Sequence, residues 1–206
     1  MKDIPFRKPS VVTLLVGVIL AAALLVLAGS LTRPAEAAVP GQVRAEGFSA
    51  FNSTNLKTAQ ATCPSGKKVI GTGAEIEGAG GQVTIFGVEP KANSVVATAY
   101  EDETGTTANW WIRVYAVCAD PLPGLVVVTN ASANDSANPK QVTVVCPAGK
   151  KLTGTGVFVE FAGPIGQFVL DDVIPSSALD GVQVKAYEDE TGTSANWRIR
   201  GYSICA

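Results

Sequence analysis

The sequence predicts an all-β protein made of two tandem small antiparallel modules. Each module is a β-sandwich or a partly closed barrel, held by its own disulfide. Three observations predict it. An acidic dodecapeptide occurs twice, AYEDETGTTANW at 99–110 and AYEDETGTSANW at 186–197, with a difference only at Thr107 and Ser194. Four cysteines stand at matching places in the two copies. Val, Ile, Thr and aromatic residues alternate with polar ones, Gly and Pro punctuate them, and no stretch sustains a 3.6-residue period.

The first 37 residues stand apart. Lys2, Arg7 and Lys8 precede an uncharged apolar run at 11–29, and the small residues AEA close the stretch at 35–37. That order predicts a secretory signal peptide cut after Ala37. An uncleaved anchor is the alternative, because a run of this length can span a bilayer. No basic cluster follows the run, which favours cleavage and a secreted or cell-surface protein with no membrane contact afterwards. The chain carries a net charge of −2. Its first 37 residues hold four basic and two acidic groups, so residues 38–206 carry −4. A nucleic-acid partner calls for a basic stripe, and none is present. All four cysteines lie in the exported part, where an even count reads as a disulfide framework.

The chain contains no histidine. That removes the usual general base and the commonest metal ligand, and with them any His-dependent triad. The expectation is a non-enzymatic protein without a cofactor.

The repeat orders the rest of the chain. CPSGKKVIGTG at 63–73 matches CPAGKKLTGTG at 146–156, an offset of 83. Ser53, Asn55 and Lys57 match Ser136, Asn138 and Lys140 at the same offset. The offset grows to 85 at Pro90 and Pro175, and to 87 at the dodecapeptide and at Cys118 and Cys205. Two small insertions, in FAGPIGQ and SSALDG, therefore mark turns. The expected organisation is a signal peptide at 1–37, an extension at 38–46, one module at 47–120, a stiff Pro-rich joint at 121–124 and a second module at 125–206. Strand candidates in the first module are 45–52, 58–63, 67–77, 82–89, 94–102 and 109–119. Cores this small are marginal alone, so a staple is expected. Of three possible pairings, the repeat selects Cys63 with Cys118 and Cys146 with Cys205. Each closes a loop worth roughly 4 kcal/mol in the chain-entropy model.

The dodecapeptide falls on a hairpin: SVVATAYED and ANWWIRVYAVCA are strands, and the turn between them needs its glycine. Period-2 alternation puts Trp110, Ile112, Val114, Ala116 and Cys118 on one face, expected in the core. Their counterparts are Trp197, Ile199, Gly201, Ser203 and Cys205. The opposite face carries Trp111, Arg113, Tyr115 and Val117 in one copy, and Arg198, Arg200, Tyr202 and Ile204 in the other. The GTG runs, Gly71 with Gly73 and Gly154 with Gly156, have two readings. Either the bare glycines receive the buried indole, or they mark a β-bulge.

CPSGKKVIGTG followed by NWWIRVYAVCA, and CPAGKKLTGTG followed by NWRIRGYSICA, resemble secreted proteins of high-GC Gram-positive bacteria that carry Cys-framed β modules. The resemblance covers nearly all of residues 38–206. It implies compartment and module boundaries and brings no established activity. A fainter similarity to vitelline-membrane outer-layer proteins stops at the Cys-Pro-x-Gly starts, because their three-fold β-prism repeat is not present.

The acidic triplets Glu101-Asp102-Glu103 and Glu188-Asp189-Glu190 lack the ligand spacing of a calcium loop, and contiguous strand residues alternate faces. They read as solvated hairpin ends that keep a sheet edge from pairing. As neighbours on an exposed turn they do not make a glycosidase pair, which needs one carboxyl in an apolar setting. CPSGKK lacks the GxxxxGK[ST] spacing of a phosphate loop. Sequons start at Asn52, Asn130 and Asn134. The candidate ligand-binding residues are Trp111, Arg113, Tyr115, Arg198, Arg200 and Tyr202, since rings and guanidinium groups stack on sugars or pair with acidic groups. The partners this suggests are cell-wall or extracellular polysaccharide, or another surface protein. A purely structural role at the cell surface is the alternative.

Overall fold

The computed structural model describes residues 39–163 and 166–206. The expected signal peptide lies outside the described residues. The first repeat forms β1 (Val43–Phe48), β2 (Lys57–Thr62), β3 (Lys68–Gly78), β4 (Val83–Pro90), β5 (Ser94–Glu101) and β6 (Trp110–Ala119). The second forms β7 (Val126–Ala131), β8 (Lys140–Val145), β9 (Leu152–Phe161), β10 (Phe168–Pro175), β11 (Gly181–Glu188) and β12 (Trp197–Cys205). A 3-10 turn at Ala79–Gly81 links β3 to β4. The fold is all-β and antiparallel, as the alternation predicts. No described helix is long and apolar enough to cross a membrane.

Each repeat is a small open sandwich. In the first, β1-β6-β3 faces β2-β5-β4; in the second, β7-β12-β9 faces β8-β11-β10. β4 and β9 pair through Gly87–Phe158 and Val88–Val157, which merges one sheet of each repeat into the six-stranded order β2-β5-β4-β9-β12-β7. Gly87 is required there, because a Cβ at that position would lie 2.2 Å from the Phe158 ring.

The face expected in the core is in the core. Trp110, Ile112, Val114, Ala116 and Cys118 are fully buried, as are Trp197, Ile199 and Cys205. The bonds Cys63–Cys118 and Cys146–Cys205 form within their own repeats, with Cα atoms 5.7 and 5.8 Å apart. Each ties the start of the GTG-bearing half to the last strand.

The two cores exchange side chains. Ile204, with Leu125 and Val127, packs into the core of the first repeat. Phe86 and Tyr100 pack into the core of the second. Phe86 stacks on Tyr100 at 4.6 Å and touches Phe158 and Phe161. The ring chain continues through Phe168 to Trp197. The Tyr100 hydroxyl donates to the Phe168 carbonyl at 2.7 Å, and burial pushes its pKa up. A bulge aims this contact. β4 slips register at Phe86, and β10 slips at the matching position, Asp171. One bulge thus turns a ring into the neighbouring core, while the other holds a carboxylate near Lys185.

The register decides the GTG question. Gly71 and Gly73 lie opposite Val117 and Tyr115, on the face away from Trp110. The glycines therefore do not receive the indole, and the bulge reading is the one observed, with the slip between Val69 and Gly71. The second pair has a different use. A Cβ on Gly154 would lie 2.6 Å from the Ile70 carbonyl oxygen, and one on Gly156 would lie 2.3 Å from Pro90. The second GTG is where the first repeat's backbone approaches.

Candidate functional site

The recurring dodecapeptide builds the same closed turn twice. Trp110 Nε1 donates to Glu101 Oε1 at 2.9 Å, and Trp197 Nε1 donates to Glu188 Oε1 at the same distance. The other carboxylate oxygen of each Glu accepts from the backbone N–H of Thr106 or Thr193. Asp102 Oδ1 accepts from the N–H groups of Thr104 and Gly105; Asp189 Oδ1 accepts from those of Thr191 and Gly192. Gly105 and Gly192 sit at φ +66° and +65°, a left-handed conformation that favours glycine. Asn55 and Asn138 accept from the backbone N–H of Glu101 and Glu188, which explains the upstream match. Lys57 covers the Trp110 ring at 4.2 Å and donates to the carbonyls of Ala50, Asn52 and Trp110. Burial lowers the Lys57 pKa against the opposing pull of Glu101.

The solvated reading of the triplet is therefore corrected at Glu101, whereas Glu103 and Glu190 are exposed. Glu101 is only 7% exposed, because its carboxylate is the partner that a buried indole N–H requires. Asp102 serves the turn backbone. Glu103 reaches the second repeat, where it contacts Gln167 and the Thr191 hydroxyl. Among the described residues, no cluster of three or more acidic or cysteine side chains forms a metal-holding group.

The outer face of β1-β6-β3 has a different character. Trp111 lies between Phe48 and Phe51, with ring centroids 5.7 and 5.4 Å away. Phe48 is 50% exposed and Phe51 57%. The Arg113 guanidinium lies 4.9 Å over the Phe48 ring and pairs with Glu75 at 3.0 Å and Glu77 at 3.5 Å. Trp111 Nε1 donates to Glu77 at 2.9 Å, and the Tyr115 hydroxyl donates to Glu75 at 2.5 Å. Arg44 lies over the Tyr115 ring and pairs with Glu46. The Tyr115 hydroxyl and the two glutamates hold the Arg113 charge firmly.

The counterpart residues in the second repeat sit in a closed arrangement. Arg198 and Arg200 both pair with Glu160. Burial pulls the Glu160 pKa up, but the two guanidinium groups outweigh it and hold the carboxyl below its usual range. Tyr202 is 7% exposed, and its hydroxyl donates to Glu89 of the first repeat at 2.7 Å. Burial, then that hydrogen bond, pushes the hydroxyl's pKa up. The structure thus groups Trp111, Arg113 and Tyr115 on one open face. It places Arg198, Arg200 and Tyr202 on another, beside the contact between repeats.

Sequence reasoning missed Phe48, Phe51, Glu75 and Glu77 on the first face. A signal for two of them was present. At the offset of 83, Phe48 corresponds to Ala131 and Phe51 to Asn134; at 87, Trp111 corresponds to Arg198. The backbone confirms these equivalences, since Ser49 N–H bonds Ile112 O as Ser132 N–H bonds Ile199 O. Trp110 N–H likewise bonds Asn52 O as Trp197 N–H bonds Asp135 O. In comparisons with known proteins, no family model matches the chain, and no curated protein matches it in sequence.

Proposed function

We propose that the protein is an extracellular, non-enzymatic binding protein whose contact surface is the outer face of β1-β6-β3. The second repeat supports that face. One observation carries this reading: three rings are held at the surface at positions where the second repeat keeps the same backbone with Ala131, Asn134 and Arg198. The fold does not require rings there, so exposing them calls for another reason. The two disulfides fit an oxidising compartment. Secretion is tested by N-terminal sequencing of exported protein, which should begin at Ala38; full-length chain in the membrane fraction refutes it. Binding is tested on purified cell-wall and extracellular polysaccharide preparations, with wild type beside Phe51→Ala and Trp111→Ala. Both variants should lose retention while melting close to wild type. Equal retention of all three proteins places the contact surface elsewhere.

A further inference from the structure

We infer that the ligand of the β1-β6-β3 face is a neutral polysaccharide, its pyranose rings seated on Trp111 and Phe51. The inference rests on the proposed binding face and names the class of ligand it takes.

Charge decides first. The ionised groups on the face are Arg44, Arg113, Glu46, Glu75 and Glu77. Arg44 pairs with Glu46, and Arg113 pairs with both other glutamates. Two arginines against three glutamates leave a balance of only −1, and each of these groups sits in an ion pair, so no strong field of either sign recruits an anionic or cationic polymer. The same pairing fixes the groups as neighbours of the rings. The Glu75 and Glu77 side chains remain 47% and 60% exposed, so their outer lone pairs can accept from hydroxyl groups.

Area decides against a protein partner. Phe48 and Phe51 are about half exposed and Trp111 less so. Since an aromatic residue buries about 150–250 Å² when fully covered, the three rings together offer roughly 250 Å². A stable protein interface needs about 800 Å² per partner. The rings suffice for a few sugar units, whose C–H faces are apolar and whose equatorial hydroxyls are polar. Trp111 and Phe51 meet edge to face at 60°, so they present a step and not one flat plane. A chain of linked rings follows a step more readily than an extended aromatic ligand does.

The test is native-gel affinity electrophoresis in soluble neutral glucan, and separately in polygalacturonate. Wild type should be retarded by the neutral polymer, with little change between about 0.05 M and about 0.5 M salt, where paired surface charges are already screened. Phe51→Ala and Trp111→Ala should each weaken the retardation about tenfold or more, as for a central aromatic contact. Phe51 lies in an exposed segment, so its variant remains informative if Trp111→Ala folds poorly. Fluorescence supplies a second readout. Of three tryptophans, Trp110 and Trp197 are fully buried. Acrylamide quenching therefore reports Trp111, and neutral glucan should protect it. Retardation only in polygalacturonate, weakened by salt and by Trp111→Ala, overturns the ligand class and leaves the binding face standing. Neutral retardation that survives both substitutions overturns the inference. No retardation in either polymer also overturns it, and sedimentation then decides for the face: a dimer dispersed by Trp111→Ala makes it a self-association surface.

Discussion

Glu101→Ala should destabilise the protein far more than a substitution two positions along the same turn. The variant leaves the Trp110 indole N–H without an acceptor, and Trp110 is fully buried. An orphaned buried donor costs about 1–3 kcal/mol. Taking 2 kcal/mol as the centre of that range lowers the melting temperature by about 4–8 °C for a chain of this size. In the same step Lys57 loses the carboxylate whose charge opposes the effect of its burial. Glu101→Gln keeps an oxygen facing the indole and should cost no more than about 1 kcal/mol. Glu103→Ala removes exposed contacts only and should stay within about 1 kcal/mol. The assay is urea unfolding of the oxidised protein followed by circular dichroism, with Trp110→Phe completing a double-mutant cycle. In the Trp110→Phe background, the cost of Glu101→Ala should shrink by about 1 kcal/mol or more. Coupling below about 0.3 kcal/mol, or equal melts for Glu101→Ala and Glu103→Ala, refutes the role given to this hydrogen bond.

Acid should weaken the fold in a defined window. Glu160, held low by Arg200 and Arg198, and Asp135, held low by Lys140 and the Ala137 N–H, have folded pKa values below their unfolded ones. Their stabilisation is complete above the unfolded pKa of about 4 and is lost as pH falls through the lower folded values. Melting temperature should be flat from about pH 7 to about pH 5 and fall below about pH 4; an unchanged acid profile in Glu160→Gln counts against this. A fragment of residues 39–120 exposes Phe86, Tyr100 and the β4 edge that β9 covers. It should bind a hydrophobic dye and associate, whereas a monomeric fragment that binds no dye shows a self-sufficient first core. Gly201→Val should overpack the second core and cost about 1–3 kcal/mol; a neutral effect on the melt shows free space there.

The strands and the disulfides were legible because the repeat aligned two independent samples of one pattern. Alternation alone placed Trp110, Ile112, Val114, Ala116 and Cys118 correctly. The joining of the sheets was not legible. It depends on two residue pairs between β4 and β9, and on a bulge that turns Phe86 out of its own repeat. A bulge breaks the period on which strand reading relies. Glu101 was misread for a related reason. A carboxylate beside a turn is normally solvated, and only the tertiary placement of the Trp110 ring supplies the donor that draws it inward. On the binding face, Trp111, Arg113 and Tyr115 were legible from β6 alone. Phe48, Phe51, Glu75 and Glu77 come from β1, the segment after it and β3, so register was needed to bring them together.

The five differences between 99–118 and 186–205 follow from what each side chain faces. Thr107 and Ser194 lie in the exposed turn. Trp111 and Arg198 lie on outer faces with different tasks. Val117 faces outward beside Gly71, whereas Ile204 is buried in the first repeat's core. Ala116 becomes Ser203, whose hydroxyl donates to the Val144 carbonyl inside the sandwich at 2.9 Å. Val114 and Gly201 differ most in volume, and the facing sheet compensates. A Cβ on Gly201 would lie 2.8 Å from Val144 Cγ2 and 3.0 Å from Val184 Cγ2, with Val142 next. The first repeat has Ala61, Ala97 and Ala59 at those three positions, buried in the same cluster as Val114. One core therefore places its bulk on β6, and the other places it on β8 and β11. Packing density is kept while its source moves across the sandwich. The positions that cannot move this way are Glu101, Asp102, Gly105, Thr106 and Trp110, each of which serves a specific backbone or indole hydrogen bond. That is why the dodecapeptide recurs nearly unchanged while the sheets around it differ.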